Sequence, residues 1–361
     1  MSYLLPHPMT RRWVLVLDPP TGDPTRKVGG LPLALRLALD AQNAGAAAVV
    51  VKDEPTRSVL GDSRLRIPVQ DTVPTDHDEI RIGASMLTPR QLFQKLPAGS
   101  RDLSRQPLAI DVPYGFEAVD VVDRATARRA ERALFRSLRK PQDGWTSRWL
   151  NRYISLSISR WLVKLPLRPN QVSIAILAIG LFGAWLALHG TYWSLVAGAA
   201  LFQAQSVLDG CDGEMSRVTH RGSLLGEWLD TVGDDLTNYG FFAATGWGLY
   251  SATGHGIYLV AGAVTVLCGL IASGIEYRYL WRIGSGDLLK YPLSAGGEAD
   301  DGGLFAAIRP LFKRDTFVFL TFLAALANLL GPMLLIFSAG GVGILASVIG
   351  AELRMARERR S

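Results

Sequence analysis

Between Gln171 and Arg354 the lysines and arginines are confined to two clusters, Arg217 to Arg221 and Arg278 to Arg314, and they return only from Arg354 onward. Everything between those clusters is free of cationic side chains. Runs of about 18 to 25 such residues can cross a hydrocarbon core of roughly 30 Å as helices. The stretches near 171–189, 192–211, 223–250, 256–279, 315–331 and 332–352 predict six spans. The turns His189-Gly190-Thr191, Ser251 to Gly256 and Leu329 to Pro332 hold no Lys or Arg. By the positive-inside rule these face outward, which places both termini and the Arg-rich loops in the cytoplasm of a multi-pass protein of the cytoplasmic (inner) membrane.

Charged residues make up 19% of the chain, against about 25% in average soluble proteins. The deficit lies after roughly residue 140, and the polar stretch before it is expected to be a soluble domain. The net charge of +6 is spent on the membrane-flanking clusters, so no nucleic-acid partner is expected. Two cysteines, Cys211 and Cys268, form no ligand or redox pattern. The N-terminal MSYLLPHPMTRRWVLVLD lacks the basic start and apolar core of a signal peptide.

Three regions result: 1–140, a juxtamembrane segment 141–168, and a membrane domain 169–361. The stretch Asp143 to Leu167 carries Trp145, Trp149, Trp161, Arg148, Arg152, Arg160 and Lys164, which suits an amphipathic helix lying in the headgroup layer. It serves either as a plain anchor or in contact with substrate. Pro166 and Pro169 are expected to end it.

The richest chemistry lies in Asp209-Gly-Cys-Asp212-Gly213-Glu-Met-Ser216-Arg217, followed by Gly226, Asp230 and Asp234. Asp209 and Asp212 sit three apart at the cytoplasmic end of the second span. Gly226, Asp230 and Asp234 are four apart and share one stripe of the third. Asp235 lies about 100° from that stripe and is expected to be a bystander. An ionised side chain at membrane depth costs about 2.5–3.5 kcal/mol on insertion scales, and facing carboxylates also repel one another. Positive charge must sit among them. Hard divalent ions with oxygen ligands, Mg²⁺ or Mn²⁺, fit a set with no nearby His or Cys, and two such ions would clamp a phosphoryl group. The weaker alternative has these aspartates capping helices or pairing with Arg217 and Arg221. Glycines at 213 and 226 would let a ligand approach the backbone.

This arrangement resembles the signature of the CDP-alcohol phosphotransferase family, DxxDGxxARx8GxxxDxxxD, with Ser216 where the family usually has Ala. The resemblance implies that Asp209, Asp212, Asp230 and Asp234 bind two metal ions, that Asp209, Gly213, Ser216, Arg217 and Gly226 contact the CDP moiety, and that Asp234 is the general base. Arg168-Pro-Asn170-Gln-Val-Ser173 resembles the family's Pro-Asn entry to its first span and implies a nucleotide contact for Asn170. Lys313-Arg314-Asp315 resembles a basic element of some members. With Arg278, Arg282 and Arg309 it would bind an acceptor phosphate or lipid headgroup, or serve as ordinary positive-inside anchoring. The implied partners are a CDP-alcohol donor, an alcohol or lipid acceptor and the bilayer. The family is typically dimeric, and Ala339, Gly343, Ser347 and Ala351, four apart, offer a small-residue stripe for a homodimer seam or for internal packing.

In the first domain, strands are expected at Val14–Asp18, Ala46–Val51, Arg64–Val69, Glu79–Ile82 and Leu108–Val112, with helices at Leu33–Ala44 and Ala125–Arg139. That alternation indicates an α/β sheet. Lys27-Val-Gly-Gly30-Leu-Pro32-Leu33 resembles sugar-phosphate nucleotidyltransferases, and the linker Lys140 to Arg152 resembles that of cytidylyltransferase fusions of the di-myo-inositol-phosphate-phosphate synthase type. Yet Asp18 to Arg26 lacks the Gly-x-Gly-x-Arg loop that would cradle a triphosphate. Asp120 and Asp123 read as remnants of a metal site. The expected fold is therefore a nucleotidyltransferase-like α/β domain without activity, plus an all-α six-helix membrane domain preceded by an interfacial helix. Two competing assignments are a transporter that relays protons or cations through the aspartates, and a soluble domain that is itself the active part.

Overall fold

The apolar run Trp13–Asp18 forms strand β1 at the centre of a five-stranded sheet in the computed structural model, which describes residues 12–96, 99–103, 116, 118–139, 146–292 and 313–358. A strand covered on both faces must be apolar throughout, and Trp13 to Leu17 are all buried. Parallel pairing joins β1 to β4 (Ala48–Val51), with Leu15 opposite Val49, and to β6 (Asp78–Gly83), with Leu15 opposite Ile80. The order is β5-β4-β1-β6-β8, with β5 at Val69–Gln70 and β8 at Arg101–Asp102. Helix α1 (Leu33–Asn43) follows the small hairpin of β2 (Lys27–Val28) and β3 (Leu31–Pro32). Helices α2 (Glu54–Val59), α3 (Leu92–Lys95) and α4 (Arg124–Arg136) and the two-stranded pair β7 (Met86–Leu87) with β9 (Val119–Asp120) complete this part.

The α/β expectation holds, with differences in detail. The stretch Arg64–Val69 contributes only its end to the sheet, because the backbone amides of Arg66 and Ile67 bond to the Gln42 side chain instead of a neighbouring strand. Leu108–Val112 lies outside the described residues. Asp123 is the N-cap of α4, accepting from the Thr126 amide at 2.7 Å. Asp120 accepts from Thr21 Oγ1 at 2.7 Å and Ser85 Oγ at 2.6 Å.

The chain divides into two compact units. The first comprises Met1–Gln142, Arg160–Pro166 and Ser216–His220; the second comprises Asp143–Ser159, Leu167–Met215 and Arg221–Ser361. The later helices are α5 (Arg152–Leu162, preceded by a π-turn at Ser147–Asn151), α6 (Pro169–Ala187), α7 (Tyr192–Leu208), α8 (Gly210–Thr219), α9 (Leu224–Thr253), α10 (Gly256–Ile283), α11 (Arg314–Leu326) and α12 (Leu330–Glu358). Helix α5 stops four residues before Pro166, and Pro169 opens α6 as its first residue. Proline is tolerated there because that N–H has no helical partner anyway. Three helical stretches are long and apolar enough to cross a membrane, Pro169–Ala187, Gly256–Ile283 and Leu330–Leu353. By contrast, the 13 residues of α11 rise about 20 Å, and the left-handed Asn328 turns the chain into α12.

Within the second unit, glycines set the helix spacing. A Cβ on Gly198 of α7 would lie 2.6 Å from the Gly183 carbonyl of α6, and one on Gly183 would lie 2.8 Å from the Gly198 carbonyl. Phe202 of α7 stacks on Phe241 of α9 at 4.5 Å between centroids, and Phe242 meets Phe337 of α12 at 5.1 Å. Large apolar side chains such as Ile174, Leu267 and Ile336 are exposed along the helix flanks, as expected where lipid is the solvent.

Candidate active site

Asp209 is the C-cap of α7, its amide bonded to the Gln205 carbonyl at 2.9 Å. Asp234 stands on the facing stripe of α9. Both carboxylates end on one atom: Arg314 Nη1 lies 3.1 Å from Asp209 Oδ2 and 2.7 Å from Asp234 Oδ2. The other guanidinium arm, Nη2, donates to Gln205 Oε1 at 2.8 Å, while Gln205 Nε2 donates to Asp234 Oδ1 at 3.4 Å. Gln205 is therefore a member of the site that sequence reasoning missed. Its signal was a pair of amides, Gln203 and Gln205, in a mostly apolar helix. Room for it comes from Gly180 of α6, where a Cβ would lie 3.1 Å from both Gln205 Cγ and Thr237 Cβ.

Asp212, 7% exposed, accepts from the Ser173 hydroxyl of α6 and from the Gly213 amide at 2.5 Å. Asn170, at the start of α6, faces Gly226: a Cβ on that glycine would lie 3.0 Å from Asn170 Oδ1. Two residues expected at the nucleotide thus meet from different helices. Ser223 caps α9 by accepting from the Gly226 amide at 3.0 Å. Asp230 lies one turn before Asp234 on α9. Asp235 faces α10 and accepts from Tyr277 Oη at 2.7 Å and from the Ser273 hydroxyl.

A second missed residue lies inside the motif. Glu214 is fully buried and accepts from Arg152 Nη1 at 2.6 Å, Ser155 Oγ at 2.8 Å and Ser159 Oγ at 2.7 Å. Cys211 joins the same contact, donating to the Ser155 carbonyl at 3.6 Å. One face of α5 is thus bonded to the motif helix α8, a use that neither an anchor nor a substrate contact anticipated.

Ser216 and Arg217 fall in the first unit. Of the expected acceptor group, Lys313 precedes α11 as its N-cap and Arg314 has joined the aspartates. Arg278 instead lines a cavity of about 250 Å³ between α10 and α12, with Arg282, Tyr279 and Glu352. Arg309 lies outside the described residues.

Among the described residues no three His, Cys, Asp or Glu side chains converge as an ion cage. The donor chemistry nevertheless fits a hard cation. Asp209 and Asp234 bring two carboxylate oxygens from two helices onto a single positive centre, with neither imidazole nor thiolate among the partners found there.

Residues 167–349 match the family model for CDP-alcohol phosphatidyltransferase. A "Bifunctional IPC transferase and DIPP synthase" of Aquifex aeolicus is 35% identical over 131 residues, which is 36% of this chain and 29% of that protein. The protein of the same description from Archaeoglobus fulgidus is 35% identical over 126 residues, 35% of this chain and 25% of that one. The matched stretch therefore spans less than a third of either relative. Among solved structures, phosphatidylinositol phosphate synthase of Mycobacterium tuberculosis with CDP-DAG bound superposes with a TM-score of 0.42 at 20% identity, covering 55% of this chain and 92% of that one.

Proposed function

Because the chain belongs to the CDP-alcohol phosphatidyltransferase family, we propose that it is an integral-membrane transferase that moves a phosphoalcohol or phosphatidyl group from a CDP-alcohol to an acceptor hydroxyl and releases CMP. The single observation that carries this is the meeting of Asp209 and Asp234 on one cationic atom, inside the stretch the family model matches. Family membership also weighs against a transporter.

In this scheme the acceptor oxygen bonds to the phosphorus that bears the donor alcohol, the bond from that phosphorus to CMP breaks, and Asp234 takes the acceptor's proton. Gln205 holds one oxygen of Asp234, which orients the carboxylate toward the acceptor. Asn170, Gly213, Ser216, Arg217 and Gly226 receive the CDP moiety, with Asn170 and Gly226 already facing each other. Two Mg²⁺ or Mn²⁺ ions would be held by Asp209, Asp212, Asp230 and Asp234 and would polarise the pyrophosphate oxygens. Positioning and charge neutralisation carry most of the catalysis in such a transfer. Arg314, Lys313 and Arg278 are assigned to an acceptor phosphate or lipid headgroup, since a guanidinium fork suits either.

The resemblance of the fused architecture to di-myo-inositol-phosphate-phosphate synthases supports an inositol-related alcohol in phosphodiester or phospholipid biosynthesis. Six spans with both termini in the cytoplasm and a location in the cytoplasmic membrane follow from the charge pattern. The stripe Ala339, Gly343 and Ser347 is exposed and supports a homodimer seam. Residues 1–140 are assigned as a nucleotidyltransferase-like domain without nucleotidyl transfer. In support, the loop after β1 is closed on itself and on its neighbours: Thr25 bonds Asp23, Thr21 bonds Asp120, and Arg26 Nη1 donates to the Val122 carbonyl at 3.1 Å.

The test is CMP release from a panel of CDP-alcohols in detergent with Mg²⁺ or Mn²⁺. Asp234→Asn should abolish release while CDP binding persists in part. Unchanged turnover in that variant removes Asp234 from the base role, and an inert wild type across the panel overturns the transferase assignment.

A further inference from the structure

A helix leaves its last four carbonyls without helical partners. The motif helix α8 ends at Thr219, and the stretch Ser216–His220, its last turn and the residue after it, belongs to the first unit. There the orphan carbonyls find two arginines from far away in the chain. Arg36 Nη1 donates to the Val218 carbonyl at 2.8 Å, and Arg64 Nη1 donates to the Thr219 carbonyl at 2.5 Å. Arg36 is 3% exposed, and its second arm donates to the Val28 carbonyl at 2.8 Å, so one guanidinium ties the β2–β3 hairpin to the helix end. Arg64 is held from behind by Asp62, with Nε and Nη2 at 2.7 and 2.6 Å from its two carboxylate oxygens. A bidentate fork of this kind fixes the direction of the remaining arm.

The hairpin that receives this helix end is the Lys27-Val-Gly-Gly30-Leu-Pro32 stretch that resembled a nucleotide-enzyme motif. Its two glycines are left-handed, with φ of 57° at Gly29 and 81° at Gly30. A Cβ on Gly29 would lie 2.7 Å from both Val218 Cγ1 and Leu134 Cδ2, and one on Gly30 would lie 2.8 Å from the Val163 carbonyl. Glycine is thus required twice over, by conformation and by the close approach of Val163 and Val218. Val218 is 1% exposed. Beyond it His220, itself left-handed, sits 3.6 Å from Asp40.

We propose that Arg36 and Arg64 are positioning residues for donor binding: they anchor the carbonyl end of α8 and so fix the backbone of Arg217, the neighbour of Val218. This rests on the assignment of Arg217 to the CDP moiety. Arg36 and Arg64 touch no substrate and act through α8.

The experiment compares wild type, Arg36→Ala, Arg36→Lys and Arg64→Gln as full chains in detergent. It measures the Kd for CDP with Mg²⁺, the donor KM and kcat for CMP release, and hydrogen exchange in peptides covering β1 and 211–222. Arg36→Ala should speed exchange at the end of α8 and raise the CDP Kd and donor KM about tenfold, with kcat changed much less. Arg36→Lys, which keeps one donor, should recover part of that loss. Arg64→Gln should leave β1 protection intact and raise the donor KM about threefold, which keeps the test decisive even where Arg36→Ala unfolds the domain. Unchanged CDP affinity and donor KM in variants whose α8 end has loosened would overturn the positioning role while the transferase assignment stands. A wild type that releases CMP yet binds CDP no better than Arg217→Ala would overturn the assignment of Arg217, and the proposal with it.

Discussion

Replacing Asp40 by Asn should tilt the pH dependence of the first unit's stability in one direction, and replacing His220 by Gln should tilt it in the other. Both side chains are buried, 2% and 5% exposed, with His220 Nε2 3.6 Å from Asp40 Oδ1. Burial pushes Asp40 up to about 7, against the opposing pull of Arg36 and Arg90. Burial, helped by Arg36, Arg90 and Arg64, pushes His220 down to about 3. In the unfolded chain, between the ordinary values of 3.8 and 6.5, the histidine carries a proton and the aspartate carries none. In the folded chain the aspartate carries it and the histidine is neutral. One proton is bound in each state, so the wild type should be nearly flat in this window.

In Asp40→Asn only the unfolded state binds that proton, so stability should rise with pH, by about 1.4 kcal/mol per unit. In His220→Gln only the folded state binds it, on Asp40, and stability should fall with pH at the same rate and be lost through about 7. Across the window each effect sums to about 3 kcal/mol. The assay is denaturant unfolding of the full chain followed by pulsed hydrogen exchange of peptides covering β1 and β4, with the labelling pulse held at one pH. Slopes of the same sign in the two variants, or a wild type as steep as either, would refute this division of the proton.

Two further predictions concern the helical unit. Glu214→Met should remove the carboxylate from the buried Arg152–Glu214 pair and cost about 3 kcal/mol in thermal unfolding in detergent, whereas adding Arg152→Met should recover much of that loss; an unchanged melting temperature for the single variant would remove the pair from the structural account. Gly198→Leu should cost about 1–3 kcal/mol by forcing α7 from α6, while Gly343→Ala, with nothing within 4 Å of its Cβ, should stay within about 0.5 kcal/mol.

What the chain reveals locally and what it hides follow one physical division. Apolar run length and cation placement exposed the helical region, and four-residue spacing exposed Gly226, Asp230 and Asp234, because both depend only on neighbours along one helix. The partners of those residues were hidden. Arg152 and Glu214 are 62 positions apart, Arg36 and Val218 are 182 apart, and Arg314 and Gln205 are 109 apart. Nothing in local periodicity pairs such groups. Where the hydropathy pattern predicts a span over 315–331, the helix covers Arg314–Leu326, because hydropathy does not register the left-handed Asn328. The strand expected over Arg64–Val69 was lost to a single glutamine side chain. The spacing of Asp123 to Thr126 suits an N-cap, and the structure uses it as one.

The acids of the helical unit sort themselves by the kind of partner each has. Glu214 is sealed: no exposure, one arginine and two serine hydroxyls saturating both oxygens. A group so placed has nothing left to offer a ligand, and exchanging its partners would mean unpacking α5 from α8. Asp235 is likewise held by hydroxyls of α10. Asp209 and Asp234 differ, since their side chains are 26% and 20% exposed and share a single cation that arrives from the start of another helix. That cation is itself partly exposed, 21% at the side chain, so water or a ligand can compete for the two carboxylates. Carboxylates at membrane depth are costly to keep, so those left with an exchangeable counter-charge are the ones whose cost a ligand can offset. On that basis Asp209 and Asp234 are the acids best placed to exchange a counter-charge for a ligand, and Glu214 ties α8, the helix that carries Asp212, to α5.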